Sequence, residues 1–352
     1  QIGGPTGAFI VVVFGVIANH GYDGLVLATF MAGLILLVAG YFRAGNLIAF
    51  VPEAVVNGFT IGIGIIIATS QLKDFFGLAV EKVPADFLEK IPTLWAARET
   101  MGLAPIAIAI VTLVLIVALR RIAPRFPGLI VAVGIGSALV VFLALPVDTL
   151  GSRFGELPSQ LPWPELPDFS LSRIVELLPS AFVIAFLAAV ESLLSAMVAD
   201  KMIDGHHRPN AELSAQGVAN LASALFTGLP ATGAIARTAT NIKAGGKTPV
   251  AGIVHAAVIL LVMLLAAPLA SYLAMPALAA LLVITAWNMT EPHKWADYAR
   301  GRKSDIFLLV LTLVLTVIVD LTVAISVGVS IGFALRLKRR KSVESDWTPP
   351  DR

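Results

Sequence analysis

Apolar runs of near-spanning length recur from one end of the chain to the other, with polar residues gathered in short clusters between them. Such runs, poor in charge, read as membrane helices. The pattern predicts twelve segments, at roughly 5–19, 22–42, 49–71, 103–122, 127–146, 179–201, 211–228, 233–243, 247–270, 274–290, 304–320 and 322–337. The first and eighth are too short to span as full helices. Each follows a Gly- or Pro-rich lead-in, whose backbone groups are satisfied only if they line a cavity. Residues 72–102 form a polar connection, with an amphipathic helix expected from Phe87 to Ala97. The stretch 147–178 is proline-rich and mixed in charge, and it separates two halves.

Those halves repeat. Gly4-Pro5-Thr6-Gly7-Ala8-Phe9 is echoed by Pro230-Ala231-Thr232-Gly233-Ala234-Ile235. Each Thr-Gly-Ala is followed by a long apolar run and then by a segment opening on proline, at Val51-Pro52-Glu53 and Met275-Pro276-Ala277. From threonine to that proline the offset is 46 residues in one copy and 44 in the other. Paired Gly/Pro-interrupted segments at matching places in two halves point to the substrate site of a membrane transporter.

Composition agrees. The chain is 57% apolar and 14% charged, with a mean hydropathy of +0.88; a soluble domain has about 25% charged residues. Zero cysteines excludes disulfides and thiolate chemistry. No signal-peptide pattern opens the chain, so it is expected to begin inside a larger protein. The net charge of +2 says little, but its distribution says more. Arg120, Arg121 and Arg125 share one loop; Lys201 and Arg208, Lys243 and Lys247, and Lys294, Arg300, Arg302 and Lys303 occupy three others. Alternate threading puts all of these on one side, with Arg43 and the basic tail from Arg336 to Lys341. The positive-inside rule makes that side cytoplasmic. The two short segments then run in opposite directions.

Short helices starting within the membrane aim their N-terminal N–H groups and positive dipole ends inward. Two that meet make an anion-attracting pocket. Thr6, Gly7, Ala8 and Phe9 supply one N-terminus; Gly233, Ala234, Ile235 and Ala236 supply the other. Arg237 follows in the first turn of the second. A charge there costs at least ~2.5 kcal/mol at the bilayer centre unless it faces a cavity or a partner. Glu191 interrupts the otherwise apolar run Ala181–Met197, with Ser192 beside it and Ser195 one turn on. It is expected to bind a coupling cation or to balance Arg237. Asn210, Glu212, Gln216 and Asn220 form a polar stripe that reads as helix packing. His206 and His207 lack the spaced partners of a metal site. Ala244-Gly245-Gly246-Lys247-Thr248 reads as a turn, since Asn241 stands where a phosphate loop needs glycine. No catalytic constellation is apparent, so the chain is not expected to be an enzyme.

Gly3-Gly4-Pro5-Thr6-Gly7-Ala8, Ala188-Ala189-Val190-Glu191-Ser192-Leu193-Leu194-Ser195, the run Asn210 to Asn220, and Ala236-Arg237-Thr238 leading to Gly245-Gly246-Lys247-Thr248 together resemble the sulfate permease (SulP) family, also called solute carrier family 26. The likeness covers essentially the whole chain. It implies an all-α polytopic membrane protein with a fourteen-segment fold of two inverted seven-segment repeats. On this likeness the family's first two segments would be missing from the sequence, as would its cytoplasmic regulatory domain, called STAS. The resemblance implies a core domain, 5–42 and 179–270, moving as an elevator against a gate domain, 43–146 and 271–341. Residues 147–178 would connect them and 342–352 would form a cytoplasmic tail. It places the anion between 5–19 and 233–243, with Thr6 to Phe9 and Gly233 to Arg237 as substrate-binding residues. It matches Glu191, Ser195, Gly233 and Ala234 to the cation site of a sodium-coupled bicarbonate branch. Many members have serine where Ala236 stands.

The expectation is therefore a secondary transporter of small anions such as bicarbonate, sulfate, chloride or a dicarboxylate. It would lie in a bacterial inner membrane with its C-terminus cytoplasmic. Na+ or H+ would be the coupling ion, with no other cofactor, no metal and no nucleic acid, and the partners would be the lipid bilayer and a second copy in a homodimer. Alternatives are a nucleobase–cation symporter of the same fold, which would not want Arg237, and an anion-binding membrane module that does not transport.

Overall fold

A computed structural model describes residues 1–48, 52–81, 83, 84, 86–123, 126–155, 158–319 and 321–340. Val51, Lys82, Arg125, Lys341 and the tail 342–352 lie outside the described residues. The chain is helical almost throughout. The helices used below are α1 (Ile10–Tyr41), α2 (Glu53–Ser70), α3 (Phe87–Ala96), α4 (Leu103–Ile122), α5 (Gly128–Phe142) and α6 (Leu171–Ile203) in the first half and its junction. The second half adds α7 (Pro209–Leu225), α8 (Ile235–Lys243), α9 (Val250–Ala270), α10 (Met275–Met289), α11 (Lys303–Ile318) and α12 (Leu321–Arg340). Two short strands, β1 (Gly3–Gly4) and β2 (Thr232–Gly233), form the one sheet among the described residues.

The expected segments match these helices closely, and α4 coincides with its forecast at both ends. The amphipathic helix falls at α3, started by Asp86, whose Oδ1 accepts from the Leu88 and Glu89 amides. The first two segments form one helical stretch, α1, interrupted at Gly21 by φ 73° and ψ 179°. Only glycine takes that backbone readily, so the break lands where the pattern ends segment one. α6 begins earlier than forecast, at Leu171, and carries Pro179 inside it. Among the described residues, five stretches are long and apolar enough to cross a membrane, including α1, α4 and α9. Several others, such as α5, α7, α10 and α11, run only 15 to 17 residues.

Packing follows the repeat. α2 lies against α11 and α12, while its counterpart α10 lies against α4 and α5, and α2 and α10 cross each other. The crossing is close because Gly64 leaves no side chain; a Cβ there would stand 2.9 Å from the Ala286 carbonyl oxygen. The outer pairs echo one another in detail. Thr112 of α4 faces Gly136 of α5, and Thr312 of α11 faces Gly328 of α12. Both threonine hydroxyls are buried without a hydrogen-bond partner. A second body is formed by α1, α6 and α7, with Gly33 and Gly217 permitting backbone contact between α1 and α7. β2 and α8 pack on α6. The main apolar cluster joins the two bodies: Phe9, Val12 and Val16 meet Phe59, Ile63 and Ile67 of α2.

Candidate functional site

The two Thr-Gly-Ala motifs meet. β1 pairs antiparallel with β2, Gly3 opposite Gly233 and Gly4 opposite Thr232. Each strand leads directly into a helix N-terminus. After β1 comes a single 3-10 turn, Gly7–Phe9, and then α1; after β2 comes α8, nine residues long. The stretch from β1 to the Gly21 break forms one arm of the site, and β2 with α8 the other. A sheet this short satisfies backbone that is neither helical nor exposed to water, which broken helices within a bilayer require.

Residues of α6 and α7 hold this arrangement. The Thr232 hydroxyl donates to the Ala188 carbonyl oxygen at 2.9 Å and lies 3.0 Å from Ser192 Oγ. The Gly233 N–H donates to Ser192 Oγ at 2.8 Å, and a Cβ at Gly233 would lie 3.1 Å from Ser192 Cα. Asn220, fully buried, clamps Ala231: its Oδ1 accepts from the Ala231 N–H at 2.9 Å and its Nδ2 donates to the Ala231 carbonyl oxygen at 2.8 Å. Ser195 Oγ donates to Thr238 Oγ1 at 3.1 Å, which also accepts from the Ile2 N–H at 3.0 Å. The Ala234 N–H donates to the Ile2 carbonyl oxygen at 2.9 Å.

These bonds redistribute the expected donors. Gly233 and Ala234 do not present free amides, because Ser192 and Ile2 already occupy them. Phe9 is likewise committed: its N–H donates to the Thr6 carbonyl oxygen at 3.2 Å, and its side chain is buried in the apolar cluster. The amides that precede the first helical bonds are those of Gly7 and Ala8 on one arm and Ile235, Ala236 and Arg237 on the other. On the second arm, Thr238 makes the first such bond, to the Ala234 carbonyl oxygen.

The two charges sit on this scaffold without touching. Thr6 Oγ1 donates to Glu191 Oε2 at 2.7 Å. The Arg237 guanidinium donates to the Pro5 carbonyl oxygen. Among the described residues no direct ion pair joins Glu191 to Arg237; neighbouring residues of the first arm stand between them. The expected balance of Arg237 by Glu191 would therefore act through space, with Thr6 bonded to one and Pro5 to the other. A Cβ at Gly4 would lie 2.9 Å from Arg237 Nη1, so this glycine, at φ 142°, makes room for the guanidinium. Of the polar stripe on α7, Asn210 accepts from the Gly45 N–H at 3.0 Å, a contact to a neighbouring segment as expected, whereas Gln216 donates to Glu212 within α7 itself at 3.1 Å. Asn220 departs from its stripe in holding a site loop instead of a neighbouring helix. His207 pairs with Asp200 at 2.6 Å.

Two inverted halves, each contributing a broken helix to one central junction, define a secondary-transporter fold. The chain matches the model of the sulfate permease family over residues 1–312 and belongs to that family. A putative sulfate transporter of Bacillus subtilis strain 168, YvdB, is 43% identical over 313 residues, covering 89% of this chain and 59% of the relative. The bicarbonate transporter BicA of Synechocystis is 33% identical over 286 residues, 78% of this chain and 50% of BicA. A solved structure of the transmembrane domain of a cyanobacterium bicarbonate transporter BicA superposes with a TM-score of 0.81 at 30% identity, covering 92% of this chain and 83% of that one. The chain thus spans 50–59% of the length of these two relatives. It is a sulfate permease family member whose fold matches that transmembrane domain.

Proposed function

We propose that the protein is a secondary active transporter that holds a small oxyanion or halide between the two arms. The observation that carries this reading is the junction itself: two helix N-termini locked together by the β1–β2 ladder, with a guanidinium in the first turn of one. The anion would be bound by the amides of Gly7 and Ala8, by those of Ile235 to Arg237, and by the remaining N–H groups of Arg237. Bicarbonate, sulfate, chloride and small dicarboxylates all have the charge for such a site.

In this reading α1, α6, α7, α8 and α9 form a core that slides as an elevator against a gate of α2, α4, α5, α10, α11 and α12. The domain limits are 5–42 with 179–270 and 43–146 with 271–341. Support comes from the way the core's bonds cross between arms, so that the site travels as a unit. Glu191 would be the coupling group, taking Na+ or H+, with Ser195 and the Gly233 backbone nearby. The Thr6 bond makes its occupancy felt on the anion arm. The protein would work as a homodimer in a bacterial inner membrane with its C-terminus cytoplasmic.

The test is uptake of labelled sulfate, bicarbonate, chloride and dicarboxylates by the protein in proteoliposomes, with imposed sodium or proton gradients. Flux of at least one anion is expected, and Arg237→Ala should reduce it. Anion binding without flux under any gradient would favour a binding module that does not carry.

A further inference from the structure

A chamber whose lining is mostly apolar but holds several polar side chains lies away from the arms' junction. On the face opposite the basic loops, which the charge pattern makes the outer one, a cavity of about 560 Å³ opens between α1, α6 and the ends of α2 and α11, under α3. Val12, Val16 and Ile67, which belong with Phe9, Phe59 and Ile63 to the main apolar cluster, line this chamber. Its polar lining comes from Asn19 and His20, Ser70 and Gln71, and Asp86 and Lys90.

Lys90 is the unusual member. α3 is a surface helix whose Leu88 is 57% and Ile91 43% exposed, yet Lys90 is 3% exposed. Its Nζ donates to Ser70 Oγ at 3.0 Å. An ammonium has three donors, so a neutral hydroxyl leaves it incompletely satisfied. Burial, partly offset by the Asp86 charge, lowers its pKa. Asp86 forms no ion pair with it among the described residues, and its Oδ1 is engaged by the Leu88 and Glu89 amides. His20 is drawn to Glu176 at 3.2 Å. A buried cation with no paired carboxylate among the described residues is costly unless something neutralises it. A chamber of this volume holds a small anion together with several waters, at about 30 Å³ per water.

We propose that this chamber is a second, outer anion site in which Lys90, braced by Ser70, holds a small inorganic oxyanion or halide before it reaches the junction. It rests on the transporter reading for its role, but not for its existence. The amide groups of Gln71 and Asn19 supply neutral donors. The site belongs half to the gate, through α2 and α3, and half to the first arm. An anion held there is therefore handed along the arm that leads to Gly7.

Two measurements test it. In oriented proteoliposomes, Lys90→Gln should raise the half-saturating sulfate or bicarbonate concentration for uptake from the chamber's face about tenfold. The value from the opposite face and the maximal rate should stay within twofold, and Lys90→Arg should restore most of the loss. Separately, bromide soaked into crystals of the protein should give an anomalous peak beside Lys90 Nζ, and that peak should vanish in Lys90→Gln. If no anion is transported by the wild type, the transporter reading fails and the bromide peak alone decides the site. If folded wild type shows no bromide there, or if Lys90→Gln leaves the chamber-face half-saturation unchanged in an active transporter, the outer site is overturned.

Discussion

The two arms carry the same Thr-Gly-Ala motif but are secured differently. The second arm is bolted directly to its surroundings: Thr232 and Gly233 to Ser192 and Ala188, and Ala231 to Asn220. The first arm is secured largely through the second. Ile2 bonds Ala234 and Thr238 and Pro5 accepts from Arg237, while Gln1 and Thr6 reach α6 independently, at Ser192 and Glu191. These hydrogen-bonding anchors come from the second half of the chain, while the first arm's apolar packing on α2 comes from the first. The repeat is symmetric in its path but not in its load. A lesion in the second arm should release both, whereas a lesion in the first should release one.

Asn220→Ala should have the largest effect. It strands the half-buried N–H and C=O of Ala231, at up to about 1–3 kcal/mol for each unsatisfied group. A loss of about 2–4 kcal/mol in thermal or denaturant unfolding is expected, along with anion binding. Retention of binding at wild-type affinity would show that the arms stand independently.

Arg237→Ala comes next. Hydrogen bonds to charged groups contribute about 1.5–3 kcal/mol, so anion affinity should fall about 10- to 100-fold, with a smaller change in melting. The guanidinium also braces Pro5, so the first arm should loosen while the second holds. Unchanged affinity in a folded variant would reduce Arg237 to a strut.

Thr6→Val cuts the only bond from the first arm to Glu191 named above and should cost about 1 kcal/mol. Anion binding should survive, while the response to an imposed sodium or proton gradient should weaken. Glu191→Gln should go further: binding kept and gradient response lost. If Thr6→Val leaves that response intact, Glu191 acts without the first arm.

The smallest effect is expected far from the arms. Glu291 is buried enough to raise its pKa, but bonds from Lys294 and Tyr298 outweigh this and hold it below its ordinary 4.5. Its stabilising contribution is present above that ordinary value and fades as pH falls through the lower folded-state value. Glu291→Gln should therefore cost less than about 1 kcal/mol at pH 7, and the difference from wild type should shrink in acid. A constant difference down to pH 3 would contradict the assignment.

How much of this was legible beforehand depends on range. The segment ends, the break near Gly21 and the α3 helix follow from local periodicity and from glycine, proline and Asp86 punctuation. The matched Thr-Gly-Ala strings mark both arms. The ladder between Gly3-Gly4 and Thr232-Gly233 was not readable, because two-residue strands have no period and their partners lie more than two hundred residues away. Nor was the double bond of Asn220, since a side chain that clamps backbone leaves the same stripe as one that packs helices. The commitment of the Gly233 and Ala234 amides escaped for a related reason: sequence shows which N–H groups open a helix, not which are already taken.

The ladder also keeps time. The amide protons of Ile2 and Ala234 are each held across the junction, by Thr238 Oγ1 and by the Ile2 carbonyl oxygen. Such protons exchange with solvent deuterium only when their bonds open. If the core slides as one body, both should stay slow to exchange however fast the protein turns over. If one arm swings away from the other in each cycle, both should exchange at a rate that rises with turnover. Two backbone hydrogens thus record whether the junction ever parts.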